Sequence, residues 1–188
     1  MDESATASGE PSVQEHLLAA YSRAKRGRDE AQLLLEAGFP SPSLVWSVRS
    51  AEVLLRDFVL APYFIDRGTD WATAMKKASR VLGNSDWKNA FTKAEEWYGP
   101  FDEPLTENGS NAWAYWQSVT VRRRGDIVHG KPFPDATTEE AAQALAFAER
   151  MATWYAQRFV TSPRHPLGQQ VRQLIDQVGT ALRGESHD

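Results

Sequence analysis

An amphipathic helix is encoded by residues 41–58, which read Ser41-Pro42-Ser43-Leu44-Val45-Trp46-Ser47-Val48-Arg49-Ser50-Ala51-Glu52-Val53-Leu54-Leu55-Arg56-Asp57-Phe58. Apolar residues recur along it at spacings of four, three, four and three, at Leu44, Val48, Ala51, Leu55 and Phe58. This period places them on one face of a helix, which must pack against a core. Ser41 as N-cap and Pro42 at the first helical position predict its start, and Pro62 predicts its end.

The same helical period continues on both sides of this stretch. It predicts further helices over residues 12–35, 69–83, 85–98, 110–129 and 137–159, and a last helix after Pro166. Thr137 and Glu140 have the spacing of a capping box. The chain is therefore predicted to be all-α, with four long antiparallel helices, short inserted helices and a C-terminal helix. One domain over residues 12–184 is expected to follow a disordered segment, residues 1–11.

Composition restricts the classes of site and compartment. The chain has 188 residues and no cysteine, which excludes disulfides and thiolate zinc sites. No apolar run approaches the ~20 residues of a membrane span, and the first residues are acidic and polar, so a cytoplasmic protein without membrane partners is expected. The net charge of −4 implies that any contact with nucleic acid is local. Of the two basic clusters, residues 25–28 are interpreted as a solvated helix face.

The second basic cluster carries the chemistry, in the stretch Arg122-Arg123-Arg124-Gly125-Asp126-Ile127-Val128-His129-Gly130. A permanent cation, Arg124, precedes a group that titrates near neutrality, His129, at the predicted end of a helix. On a regular helix Arg124 lies about 140° from His129 around the axis, whereas Arg122 lies only about 20° away. Gly125 weakens the helix, and loosening of the last turn would let Arg124 approach His129. Geometry alone leaves both arginines open.

Arginine and histidine suit RNA cleavage by internal attack. Imidazole can act as acid or base, and guanidinium offers a fork of donors to phosphate oxygens. One chain supplies a single pair, so a homodimer is expected, with an interface that includes the helix from Trp113 to His129. The alternative from spacing alone is that His129 caps a helix C-terminus and the arginines face solvent.

The stretch resembles the R-x4-6-H motif of the HEPN superfamily, all-helical domains known largely as RNases. Arg124, the apolar pair before the histidine, His129 and Gly130 match the version R-N-x-x-x-H-G, while Gly125 replaces its asparagine and Asp126 can substitute for it. The resemblance implies a metal-independent endoribonuclease that works as a homodimer without a cofactor, often as a toxin or defence effector with an antitoxin or regulatory protein. Arg124 and His129 would then be catalytic. Lys131 stands where one toxin group carries a tyrosine that its antitoxin modifies, so that route of neutralisation is not expected.

Further residues are assigned supporting roles or alternatives. Arg122, Arg123 and Asp126 are expected to support the site or bind RNA, and Glu52 and Asp57 could support it from across the bundle, although solvated helix surface is the alternative. The remaining histidines are expected at the surface and not as metal ligands; they are His16, His165 and His187. Three aromatic residues are expected in the core or a dimer interface rather than stacked on bases; they are Trp113, Tyr115 and Trp116.

A second class of function stays open from the sequence. A catalytically silent HEPN-like module would bind a partner protein, a nucleotide or RNA. Gly125 and the acidic charge balance favour this alternative, whereas the intact arginine, histidine and glycine favour the RNase.

Overall fold

The described fold is entirely helical, as predicted. A computed structural model describes residues 11–83, 87–98, 116–130, 135–159, 162, 164–169 and 173, and within these ranges no strand occurs. The helices are α1 Val13–Glu36, α2 Pro40–Val53, α3 Ala61–Ile65, α4 Trp71–Gly83, α5 Trp87–Tyr98, α6 Arg122–Val128 and α7 Thr138–Phe159. Two π-helical segments are π1 Leu54–Leu60 and π2 Trp116–Val121. The segment 1–10, His187 and all but residue 173 of the predicted last helix beyond Gln169 lie outside the described residues.

Serine hydroxyls join α1 to α2. Ser43 Oγ donates to the Ala31 carbonyl and Ser50 Oγ donates to the Ala24 carbonyl, both at 2.7 Å. The later serine on α2, Ser50, pairs with the earlier residue on α1, Ala24. The two helices therefore run antiparallel. A Cβ on Gly27 would lie 3.3 Å from Ser50 Cβ, so the glycine permits this close approach. No described helix is long and apolar enough to cross a membrane.

The start of α2 differs from the prediction. The helix begins at Pro40, preceded by Phe39, and Ser41 does not cap it. Ser41 is buried, and its Oγ donates to Asp135 Oδ1 at 3.2 Å and accepts from the Ala136 N–H at 2.9 Å. The proline fixes the first turn, which leaves the serine hydroxyl to join α2 to the segment before α7.

Helix α7 closes the core over α2. Its predicted capping box is confirmed, because the Glu140 N–H donates to Thr137 Oγ1 at 3.1 Å and the Thr137 N–H donates to Glu140 Oε2 at 2.7 Å. Trp116 is fully buried and stacks on Phe147 with ring centroids 4.2 Å apart. The core interpretation is therefore confirmed for Trp116, while Trp113 and Tyr115 lie outside the described residues.

The helical path continues beyond Pro62, where the sequence predicted an end. It passes through π1 and α3 to Ile65. Proline has no N–H to donate to the Phe58 carbonyl four residues earlier. His165 Nε2 donates to that carbonyl at 2.9 Å, so a side chain distant in sequence supplies a donor that the proline cannot. The surface assignment of His165 was wrong, because its ring is fully buried against Phe58 and Trp97.

His165 is expected to make folding stability depend on pH. Burial lowers its pKa from 6.5 to about 4, opposed by the hydrogen bond to Phe58. Between these values the unfolded chain binds a proton that the folded chain does not, so stability falls as pH falls from 6.5 towards 4. The histidine contribution to the free energy of unfolding should drop by about 2 kcal/mol between pH 7 and pH 5.

Chemical denaturation at a series of pH values measures this drop. His165→Gln is the matched variant, since its amide can donate to the same carbonyl but does not titrate. The difference between wild type and variant removes the contribution of the other groups. Parallel stability profiles for the two proteins would contradict the assignment.

Candidate functional site

The Arg/His stretch forms a regular helix end. Helix α6 passes through Gly125 without a break, and the His129 N–H donates to the Gly125 carbonyl at 3.0 Å. Gly130 then leaves the helix with φ +60°, a conformation that favours glycine. The predicted loosening of the last turn was wrong, because that hydrogen bond closes the turn. The irregular helix lies instead in π2, directly before Arg122.

Arg124 faces helix α2. Its Nη2 donates to both carboxylate oxygens of Glu52, at 3.1 Å to Oε1 and 3.0 Å to Oε2. Both side chains are half-buried. Burial raises the pKa of the Glu52 carboxyl above its ordinary value, and the nearby charge of Arg124 opposes this rise. The structure thus brings together two of the residues singled out from the sequence.

The other two arginines of the cluster have different surroundings. Arg123 Nη2 donates to the Asp135 carbonyl at 2.9 Å, and its Nε lies 3.4 Å from Glu140 Oε1. Arg123 therefore joins α6 to the start of α7. Arg122 is exposed and makes no hydrogen bond or ion pair within the described ranges. Asp126 is buried.

His129 lies at the end of α6 with an exposed side chain. The side chain makes no hydrogen bond to Arg124 or to any other described residue. Five residues of helix place the two side chains about 140° apart around the axis. The structure of one chain therefore does not bring Arg124 and His129 together on a single face.

Further charged side chains flank Glu52 on α2 and continue into π1. Arg49 and Arg56 lie close enough to lower the pKa of Glu52, after burial and Arg124 as larger influences. Asp57 is 1% exposed and accepts from Arg23 Nη2 at 3.0 Å and from Arg56 Nε and Nη2. Its hydrogen bonds go to Arg23 on α1 and Arg56 on π1, and not to α6.

The sequence analysis did not assign Arg49 and Arg56, the two arginines near Glu52, to the candidate site. Arg49, Glu52 and Arg56 follow one another at spacings of three and four, which places them on one face of a helix. That spacing was visible in the sequence, but it does not show that Arg23 from α1 joins the same face.

The basic cluster at residues 25–28 is divided by the packing of α1. Lys25 and Arg26 are exposed, as expected for a solvated face. Gly27 is buried against Ser50, and Arg28 Nη1 donates to Ser50 Oγ at 3.2 Å. Burial lowers the pKa of Arg28 from its ordinary value. The interpretation as a solvated face was therefore wrong for half of the cluster.

Comparisons add no relative to this description. No protein-family profile, no curated protein and no solved structure matches the chain. Among the side chains that the structure describes, no group of three His, Asp or Glu residues could hold a metal ion.

Proposed function

We propose that this protein is a metal-independent endoribonuclease of the HEPN type that acts as a toxin or defence effector. The observation that carries the proposal is the way Glu52 holds Arg124. Only Nη2 is used, at 3.0 and 3.1 Å, and Nη1 and Nε make no hydrogen bond to any described residue. A positioned guanidinium with donors to spare is suited to a phosphate.

The proposed reaction needs no group beyond arginine and histidine. The 2′-hydroxyl of RNA attacks the adjacent phosphorus, the bond from phosphorus to the 5′-oxygen breaks, and a 2′,3′-cyclic phosphate and a 5′-hydroxyl result. Arg124 steadies the charge on the phosphorane, and His129 takes a proton from the 2′-hydroxyl or gives one to the leaving oxygen. The exposed position of His129 leaves it accessible to substrate.

A homodimer is part of the proposal. Arg124 and His129 lie on different sides of α6, so the two side chains of one chain are poorly placed to contact the same phosphate. Two copies that place their α6 helices against each other would assemble both residues from both chains. This composite site is the reason to expect an interface that includes the Arg/His stretch.

Expression in a bacterial host tests the function. We expect wild type to arrest growth and His129→Ala to relieve the arrest, because the imidazole moves a proton in the reaction. His16→Phe is the matched control: it removes an imidazole but keeps a ring to stack on Trp71, 4.6 Å from His16. The control should arrest growth like wild type, and purified wild type should cleave RNA in the presence of EDTA.

Two results would contradict the proposal. Equal growth with all three proteins, together with uncleaved RNA in vitro, would favour the catalytically silent module. Light scattering that shows a monomer at micromolar concentration, with full cleavage activity, would contradict the composite site.

A further inference from the structure

A cleft of about 450 Å³ lies between α1 and α2, and its charge is unusual for this acidic chain. Four arginines line it, two from α1, one from α2 and one from π1: Arg23, Arg26, Arg49 and Arg56. Glu30 is the one acidic residue in the lining. The cleft therefore concentrates positive charge in a protein whose net charge is −4.

A buried carboxylate holds two of these arginines in place. Asp57 is 1% exposed and receives hydrogen bonds from Arg23 Nη2 at 3.0 Å and Arg56 Nη2 at 3.1 Å. The side chains of Arg23 and Arg56 remain 48% and 36% exposed. Asp57 thus orients both guanidinium groups from the buried side of the cleft and leaves part of each accessible to a ligand.

The other two arginines have no such partner. Within the described residues, Arg26 and Arg49 make no hydrogen bond or ion pair, and both are exposed. Glu52 lies near Arg49, but its hydrogen bonds go to Arg124. Four guanidinium groups therefore face two carboxylates, Glu30 and Asp57, and the cleft keeps an excess of positive charge.

An exposed aromatic side chain completes the cleft. Trp46 is 40% exposed and lines it together with Val53. A more open groove continues along α1 past Tyr21 and the ion pair of Lys25 with Asp29, and it shares Arg23 and Arg26 with the cleft. Guanidinium groups beside an indole match a chain of phosphates that carries flat bases, because phosphate contacts and base stacking combine in single-strand binding.

We propose that this arginine cleft binds single-stranded RNA, with phosphates on Arg26 and Arg49 and a base stacked on Trp46. The choice of RNA rests on the proposed function, and Glu52, which lies between Arg49 and Arg124, connects the cleft to the candidate catalytic arginine. The continuation of the cleft into a second groove favours a strand over a single nucleotide. The cleft is then the part of the surface that holds the strand while Arg124 acts on one phosphate.

Binding is measured apart from cleavage. A fluorophore-labelled RNA oligonucleotide without secondary structure is titrated with His129→Ala protein, and anisotropy gives Kd over a range of salt concentrations. We expect Arg26→Gln combined with Arg49→Gln to weaken binding at least tenfold, as expected for lost charged hydrogen bonds. The slope of log K against log salt should flatten by about 0.7 for each arginine. Trp46→Leu should weaken binding about tenfold with an unchanged slope.

The matched control is Lys76→Gln combined with Arg80→Gln, which removes the same charge from exposed positions on α4. It should bind like the parent protein. Circular dichroism on each variant identifies any loss of fold, and Arg26→Gln alone, at an exposed position, provides a milder second variant.

Each outcome separates the cleft from the catalytic proposal. Unchanged affinity in the Arg26/Arg49 variant, or an equal loss in the α4 control, overturns the cleft proposal. Binding of a free nucleoside monophosphate as tight as that of the oligonucleotide overturns the assignment to a strand. If the cleft variants lose RNA while wild type never cleaves it, the cleft proposal stands and the RNase proposal fails. If wild type cleaves RNA and the cleft variants keep its KM, the RNase proposal stands and the cleft proposal fails.

Discussion

Replacing Arg124 with alanine is expected to lower the rate of RNA cleavage by about 10²- to 10³-fold, the loss found when one donor to a developing oxyanion is removed. The guanidinium is held by Glu52 on α2 at 3.0 Å, and its remaining nitrogens are available for phosphate oxygens. The change should appear in kcat more than in KM, because the charge on the phosphate grows in the transition state. Single-turnover cleavage of a defined oligonucleotide measures it.

Three variants sharpen this test. Arg124→Lys should restore activity only in part, because an ammonium group lacks the fork. Glu52→Gln keeps an oxygen acceptor for Arg124 and should reduce kcat less than Arg124→Ala does. Arg122→Ala should mainly weaken RNA binding and flatten its salt dependence by about 0.7, as for one lost phosphate contact. Normal cleavage by Arg124→Ala with an inactive Arg122→Ala would show that Arg122 is the catalytic arginine.

Replacing Trp116 with alanine is expected to lower the free energy of unfolding by about 3–5 kcal/mol. The indole is fully buried and stacks on Phe147 of α7 at 4.2 Å, so its removal leaves a cavity between π2 and α7. Chemical denaturation followed by circular dichroism measures the loss.

Trp46→Ala is the matched control, because Trp46 is 40% exposed and its loss leaves no enclosed cavity. It should destabilise the fold far less than Trp116→Ala. An unchanged stability of Trp116→Ala, with weakened RNA binding, would contradict the core assignment and favour a base-stacking role.

Local patterns in the sequence were sufficient for most of the fold. The 3.6-residue period predicts α1, α4, α5 and α7, and the capping box at Thr137 marks the start of α7, because each depends only on neighbours within about four residues. The prediction that Ser41 caps α2 was wrong because it also considered only neighbouring residues. Ser41 is a good capping residue in isolation, but its hydroxyl is occupied by Asp135 and Ala136, about 95 residues away.

Long-range pairings account for what could not be predicted. Arg124 and Glu52 are separated by 72 residues, and no local rule selects that partner over solvent. His165 is buried and donates to the Phe58 carbonyl, which Pro62 cannot serve, and the two partners lie 107 residues apart. The arginine cleft likewise arises only when α1 and α2 run antiparallel and bring Arg23 and Arg26 beside Arg49 and Arg56.

The number of residues in π2, the π-helical segment before α6, determines which side chain of α6 faces α2. A π turn closes its hydrogen bond one residue later than an α turn, so it accommodates one more residue in the same backbone path. Without that residue, everything that follows would rotate by about 100°, the angle of one helical position. Arg124 reaches Glu52 in the present phase, after π2 over Trp116–Val121. A single-residue insertion between residues 116 and 121 would place Arg123 in the position that faces α2, and a single-residue deletion would place Gly125 there, while every side chain of the motif stays intact.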